Sequence, residues 1–408
     1  MATTPAEDCR SPLRRSSQAR VLLAINLLYI GFGTVIGVVQ GGLPPILRQQ
    51  GHGVGAIGWV YALYLPFGIA FLWAHYIDRL RWPFCGRRTG WIVAMQAVAV
   101  GATVLLAAVP WWPIAVLALL GFVVTLAMAT MDTALDALAV EEIDPEKRPL
   151  ASGLKLAALA VGAMIGNGAF VIAFGQLGWT VSFLLLAGMM VLLALPVMRL
   201  SEAAVAGQDA RPEQASLLNV LRDPVRRTRL ALVTLISCVI FPLAGLNRVM
   251  LVDLGVPLSK IGWIVGTLGP VCMLLVSVVA MGLMAWRGVL LAFSIFGVVA
   301  VVSVGLLAGA SMTASPTLAI VGSIATSAAV SGVYVTLMAK IIGWSAGGQP
   351  ATDYAAYYGI SRFASTVLTI VSAQFAAWLA WGPFYAVGLV VLGISLLISG
   401  RHLFRRGL

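Results

Sequence analysis

Asp132 and Asp136 stand four residues apart in the run Ala129-Thr130-Met131-Asp132-Thr133-Ala134-Leu135-Asp136-Ala137-Leu138-Ala139-Val140-Glu141. On an α-helix that spacing puts both carboxylates on one face. Asp132 precedes Glu141 by nine residues, roughly 13 Å along the axis at about 1.5 Å per residue. In an apolar segment a carboxylate at that depth must be paired, hydrated or protonated. One reading is a proton- or cation-coupling site. The other is a structural ion pair, with Lys155 as one partner and Arg79 or Arg88 as others. Glu141, Glu142, Asp144 and Glu146 read as a solvated loop.

Arg362 stands about ten residues beyond Asp353, also inside an apolar run. Tyr354, Tyr358 and Arg362 follow an i, i+4, i+8 stripe, with Ser361 and Ser365 nearby. A guanidinium held there would take an anionic ligand through its planar fork, with tyrosine rings and hydroxyls alongside. The competing reading is a fixed salt bridge between helices. Asp353 follows Thr352 at a helix start, where a carboxylate favours the dipole.

A third cluster is Asp78-Arg79-Leu80-Arg81-Trp82-Pro83-Phe84-Cys85-Gly86-Arg87-Arg88-Thr89-Gly90-Trp91. An acid followed by bases and a glycine turn can lock helix ends by charge pairs in one conformation and release them in another. Asp78, Arg79, Arg87, Arg88 and Lys155 are thus expected to form a cytoplasmic gate. Simple charge anchoring explains the arginines but not Asp78. Asn26, Tyr29, Asn247, Ser327, Ser331 and Tyr334 are weaker cavity candidates, since helix-to-helix hydrogen bonding accounts for each equally well. His52, His75 and His402 show no metal-ligand spacing, and Cys9, Cys85, Cys238 and Cys272 form no CxxC pair. With no phosphate-cradling loop and no nucleophile–base set, neither a cofactor nor an enzyme is expected.

These side chains must be positioned by membrane spans. The chain is 60% hydrophobic and only 10% charged, where a soluble domain is about a quarter charged. Lipid can solvate that apolar surface directly. Apolar runs place helices near 21–41, 56–76, 90–109, 113–140, 151–174, 179–198, 229–251, 259–284, 288–309, 316–341, 352–377 and 381–400. The organisation expected is a basic tail at 1–20, a six-helix half at 21–198, a linker at 199–228, a second half at 229–400 and a tail at 401–408. The run after Val21 is too long for a cleaved signal and reads as a first helix.

The net charge of +11 sits at the ends of apolar runs, which argues against a nucleic-acid partner and for orientation in lipid. Alternate loops, starting with the N-terminal tail, hold 21 basic residues, whereas the opposite set holds Arg48, Arg248 and Lys260. Both termini are therefore expected to be cytoplasmic. Gly51, Ile57, Gly58, Trp59 and Pro66 recur at Gly255, Ile261, Gly262, Trp263 and Pro270, all offset by 204 residues. Five identities at one offset mark an internal repeat of six-helix halves.

Leu43-Pro44-Pro45-Ile46-Leu47-Arg48-Gln49-Gln50-Gly51, Ile57-Gly58, Leu65-Pro66, Phe71-Leu72-Trp73-Ala74 and the Asp78-Arg79 loop resemble one group of major facilitator permeases. That group includes the rhizobactin- and pyochelin-type siderophore permeases, the muropeptide permeases and the acetyl-CoA transporters. The helix 4 stretch and Ala351-Thr352-Asp353-Tyr354 resemble the siderophore branch most. Two positions depart from the group: Met131 replaces a frequent glutamine, and Ala70 a common lysine. The resemblance implies an all-α major facilitator fold with substrate bound at the midplane. It also implies proton-motive uptake of a ferric siderophore by a monomer in a bacterial inner membrane. A muropeptide or related sugar-peptide cargo is the alternative, and a non-transporting sensor or scaffold is a reading of a different class.

Overall fold

The computed structural model describes residues 12–73, 77, 87–143, 148–199, 222–345, 353 and 356–405. Among them there is no strand. Among the described residues, 10 helices are long and apolar enough to span a bilayer. The first, α1, is Gln18–Gln49, and the shorter apolar α2 is Val54–Ile69. α3 is Arg88–Ala108 and α4 is Ile114–Ala139. The stretch Gly153–Ala194 is continuous in hydropathy but breaks at Gly178, whose φ is 76°. It therefore counts as α5 (153–177) and α6 (179–194). There follow α7 (Pro224–Asp253), α8 (Leu258–Arg287), α9 (Val289–Met312), α10 (Pro316–Ser345), α11 (Ala356–Leu379) and α12 (Trp381–His402). That makes twelve helical segments among the described residues.

Three boundaries differ from the sequence expectation. α1 does not stop near residue 41: a π-helical turn, Val38–Gly42, carries it into Leu43–Gln49. Pro44 and Pro45 read as breakers, but they sit buried in the first turn after that widened turn, where a missing N–H costs little. α7 starts at Pro224 instead of 229, because the Asp223 side chain caps the Val225 and Arg226 amides and proline suits the first turn. That draws Arg226 and Arg227 out of the expected linker and into the helix. At the other end helical structure runs on to Arg405, through the segment expected to be a tail.

Packing divides the chain into two compact units. The first comprises Met1–Val35, Ala70–Gly162 and Trp179–Gln208. Its helices are tied by polar bonds in an otherwise apolar setting. Gln96 Nε2 donates to Met190 O at 2.9 Å, and Trp179 Nε1 to Leu106 O at 2.7 Å. Trp73 Nε1 donates to Thr130 Oγ1 at 3.0 Å. Such bonds contribute roughly 0.6–2 kcal/mol each between helices in lipid.

The second unit comprises Ile36–Ile69, Ala163–Gly178 and Asp209–Leu408. It holds both copies of the repeated segment, and they are built alike. The amide of Gly51 donates to Arg48 O and that of His52 to Leu47 O; 204 residues on, Gly255 donates to Val252 O and Val256 to Leu251 O. Both are Schellman caps. α2 then packs against α11 where Gly58 meets Ala373 and the Ile370 carbonyl, while α8 packs against α5 where Gly262 meets Ile172 and the Gly168 carbonyl. Trp59 and Trp263 are 66% and 64% exposed, side chains suited to a membrane–water boundary.

Candidate functional site

The first unit brings Tyr29, Asp132, Asp136 and Lys155 together. Lys155 Nζ lies 2.5 Å from Asp136 Oδ1 and 3.7 Å from Asp132 Oδ1. The buried Tyr29 hydroxyl donates to Asp136 Oδ1, and Lys155 Nζ sits 4.5 Å from the Tyr29 ring centroid. The α4 repeat of 3.6 residues puts both acids on one face, and α5 brings its lysine to that face. Two carboxylates thus share one ammonium, leaving the cluster one negative charge in excess when all are ionised. Asp132 Oδ1 is buried with no hydrogen-bond partner among the described residues. Asn26, a helical turn before Tyr29, donates from Nδ2 to its own helix at Leu22 O.

Arg88 does not join those aspartates. It is buried and donates from Nε and Nη2 to Glu141 Oε1 at 3.0 and 2.7 Å, with Nη1 directed at Ile77 O. Glu141, expected in a solvated loop, is therefore part of a helix-end ion pair between α3 and the end of α4. Asp78 and Arg79 of the expected gate, and the side chain of Arg87, lie outside the described residues.

In the second unit Arg362 enters an aromatic enclosure. Its Nη2 donates to the Tyr64 hydroxyl at 2.8 Å. The guanidinium carbon lies 4.3 Å from the Phe241 ring centroid, 5.3 Å from Tyr64 and 6.0 Å from Tyr334. Tyr334 is edge-on to Phe241 at 5.3 Å and to Tyr358 at 6.4 Å. Ring faces attract the cation, yet no carboxylate pairs with it among the described residues. The expected alternative, a salt bridge for Arg362, is not formed there.

The stripe used to find Arg362 needs revision. Ala356–Ile360 is a π-helical turn, so Tyr358 and Arg362 are not in simple α register. Tyr354 lies outside the described residues. Ser361 and Ser365 bond to carbonyls of their own helix. Asp353 is not a surface helix cap: it is 1% exposed, and both its oxygens accept from Arg226 Nη1 at 3.1 Å.

Sequence reasoning missed Tyr64 and Phe241. Tyr64 precedes Leu65-Pro66, a motif that reads as packing, and no local pattern marks Phe241. Asn247 is buried, its Oδ1 without a partner among the described residues. Ser331 bonds to Ser277 at 2.7 Å and to Met273 O, and Ser327 to Ser323 O, so these hydroxyls serve helix packing. The described residues hold no group of three or more His, Cys, Asp or Glu side chains placed to bind a metal.

Comparison with known proteins bears on the whole chain. Residues 22–251 match the model of the Major Facilitator Superfamily. The anhydromuropeptide permease of Escherichia coli (strain K12) is 27% identical over 171 residues, 40% of this chain and 34% of that protein. An uncharacterized protein of Haemophilus influenzae is 26% identical over 172 residues, 41% of this chain and 40% of that protein. The matches span only about a third to two fifths of these relatives' length. Among solved structures, the nucleoside transporter NupG superposes with a TM-score of 0.70 at 13% identity, covering 95% of this chain and 99% of that one. A bacterial homolog of the human lysosomal transporter Spinster gives 0.65 at 15% identity, covering 96% of each chain. Identities that low speak for the fold alone. More than half of the sequence answers to this one family model: the chain belongs to the Major Facilitator Superfamily.

Proposed function

We propose that the chain is a secondary active transporter that moves an anionic small molecule across a bacterial inner membrane by alternating access. The observation that carries this reading is Arg362. A guanidinium held by one tyrosine hydroxyl and three aromatic rings, with no acid beside it among the described residues, keeps most of its donors available. Such a group binds a carboxylate bidentately, while the rings pack on the rest of the cargo. The similarity to an anhydromuropeptide permease favours a sugar-peptide cargo over the ferric siderophore that the motifs imply. A sugar ring stacks on aromatic faces and a peptide supplies the carboxylate, so the enclosure suits both parts.

The excess negative charge at Asp132, Asp136 and Lys155 supports a proton as the coupling ion. A proton taken up there would balance the pair of carboxylates and loosen their hold on Lys155. The 21-to-3 division of basic residues supports cytoplasmic termini. Arg88 with Glu141 is the described part of a cytoplasmic gate.

The test is counterflow in proteoliposomes. Labelled anhydromuropeptide should exchange through the wild type, and Arg362→Gln should lower exchange at least about tenfold with normal protein levels. A ferric siderophore that exchanges when the muropeptide does not would replace the cargo. Exchange of neither would leave the sugar-peptide and siderophore readings both refuted.

A further inference from the structure

A second guanidinium in the same unit is more deeply buried than Arg362. Arg248 lies five residues before the end of α7 and is only 9% exposed. Among the described residues its hydrogen-bond acceptor is Asn167 Oδ1, at 2.7 Å from Nη1, and no carboxylate reaches it. Five N–H donors thus meet one acceptor. A guanidinium so largely buried without a carboxylate beside it is costly to keep, and an ionisable group at that depth points to a function.

The surroundings are built to hold that side chain. Asn167 is at the centre of the π-helical turn Ile165–Ala169, and Gly41 lies in the π-helical turn Val38–Gly42. Turns of this kind recur at functional sites because they displace backbone from the regular ladder. A Cβ at Gly41 would collide with Arg248 Nη1 and with Asn167 Oδ1, so the absent side chain makes the notch that the guanidinium fills. The Tyr61 hydroxyl donates to Gly245 O, one turn before Arg248, and fixes that stretch of α7 against α2. Asn167 is partly exposed and accepts through Oδ1, so its Nδ2 donors are not used in that bond.

We propose that Arg248 and the Asn167 amide form a second anion site, which holds a carboxylate of the transported molecule. This rests on the reading of the cargo as anionic and narrows its class. Arg362 takes one acidic group and Arg248 another, so the preferred substrate carries two or more separated carboxylates. An anion on Arg248 would accept from the guanidinium fork and from Asn167 Nδ2 together, satisfying donors that the protein leaves open.

The experiment uses the purified full chain in detergent, with thermal unfolding followed by tryptophan fluorescence. Tricarballylate is the probe, with acetate at equal ionic strength as control. At about a hundred times its dissociation constant, tricarballylate should raise the wild-type midpoint by roughly 3 °C. Arg248→Gln should abolish that response, and Arg248→Lys should keep part of it. Asn167→Asp guards against a variant that simply misfolds: its carboxylate would pair with Arg248 from within, raising the midpoint without added anion and removing the response. A wild type indifferent to tricarballylate, or an Arg248→Gln variant that responds as the wild type does, overturns the proposal. So does an Asn167→Asp variant that still responds in full. Failure of muropeptide counterflow alongside an Arg248-dependent response would reject the cargo and leave this site standing.

Discussion

Gly51 and Gly255, 204 residues apart, end their helices with the same two hydrogen bonds and the same left-handed turn, at φ 91° and 78°. Each lies one residue past a turn that sends the chain from one helix into the next. An added Cβ would touch nothing within 4 Å at either site, so a substitution there reports backbone strain without steric conflict.

Gly51→Ala and Gly255→Ala should therefore each destabilise the protein by about 1 kcal/mol, with asparagine milder than alanine at both positions. Thermal unfolding in detergent checks this. Equal stability of alanine and asparagine variants would show that the positive φ carries no cost.

Arg362→Lys should lose counterflow at least about tenfold while reaching the membrane at normal levels, because a point charge does not replace the planar fork. Tyr64→Phe removes the hydroxyl that accepts from Nη2 and should cost about 10–100-fold, in the range of a hydrogen bond to a charged group. Unchanged exchange by both variants would reduce Arg362 to a packing role.

Asp132→Asn and Asp136→Asn separate coupling from structure. The variant at the coupling position should lose accumulation driven by an imposed pH gradient yet keep downhill exchange. A structural pair predicts instead that Asp136→Asn lowers thermal stability, since it breaks the 2.5 Å contact to Lys155 and weakens the Tyr29 bond, with rescue when Lys155 is also neutralised. If both variants still accumulate cargo under the gradient, neither acid couples transport to protons.

The division of basic residues predicts cytoplasmic termini. Alkaline phosphatase fused within 201–220 should be inactive, while fusion near Gly53 should be active. The reverse pattern would invert the orientation and place the Arg48–Asp253 pair in the cytoplasm.

The sequence by itself determined the class of fold and showed a repeated segment. Each depends on local composition: an apolar run of bilayer length must be a helix, because lipid offers its backbone no other partner. The shared face of Asp132 and Asp136 was legible for the same reason, since helical period is a local property. The partners were not. Tyr64 reaches Arg362 across 298 residues, and Arg248 meets Asn167 across 81. Glu141 stands beside three other acids in what reads as a loop, and only packing of α3 against α4 gives it Arg88. The π-helical turns at Val38–Gly42 and Ala356–Ile360 also escaped notice, because a one-residue change in hydrogen-bond ladder has no compositional mark. They decide where the side chains of α1 and α11 point. Which cation meets an acid among the described residues and which does not depends on helices distant in sequence, so only the tertiary structure could distinguish Arg88 and Arg226 from Arg248 and Arg362.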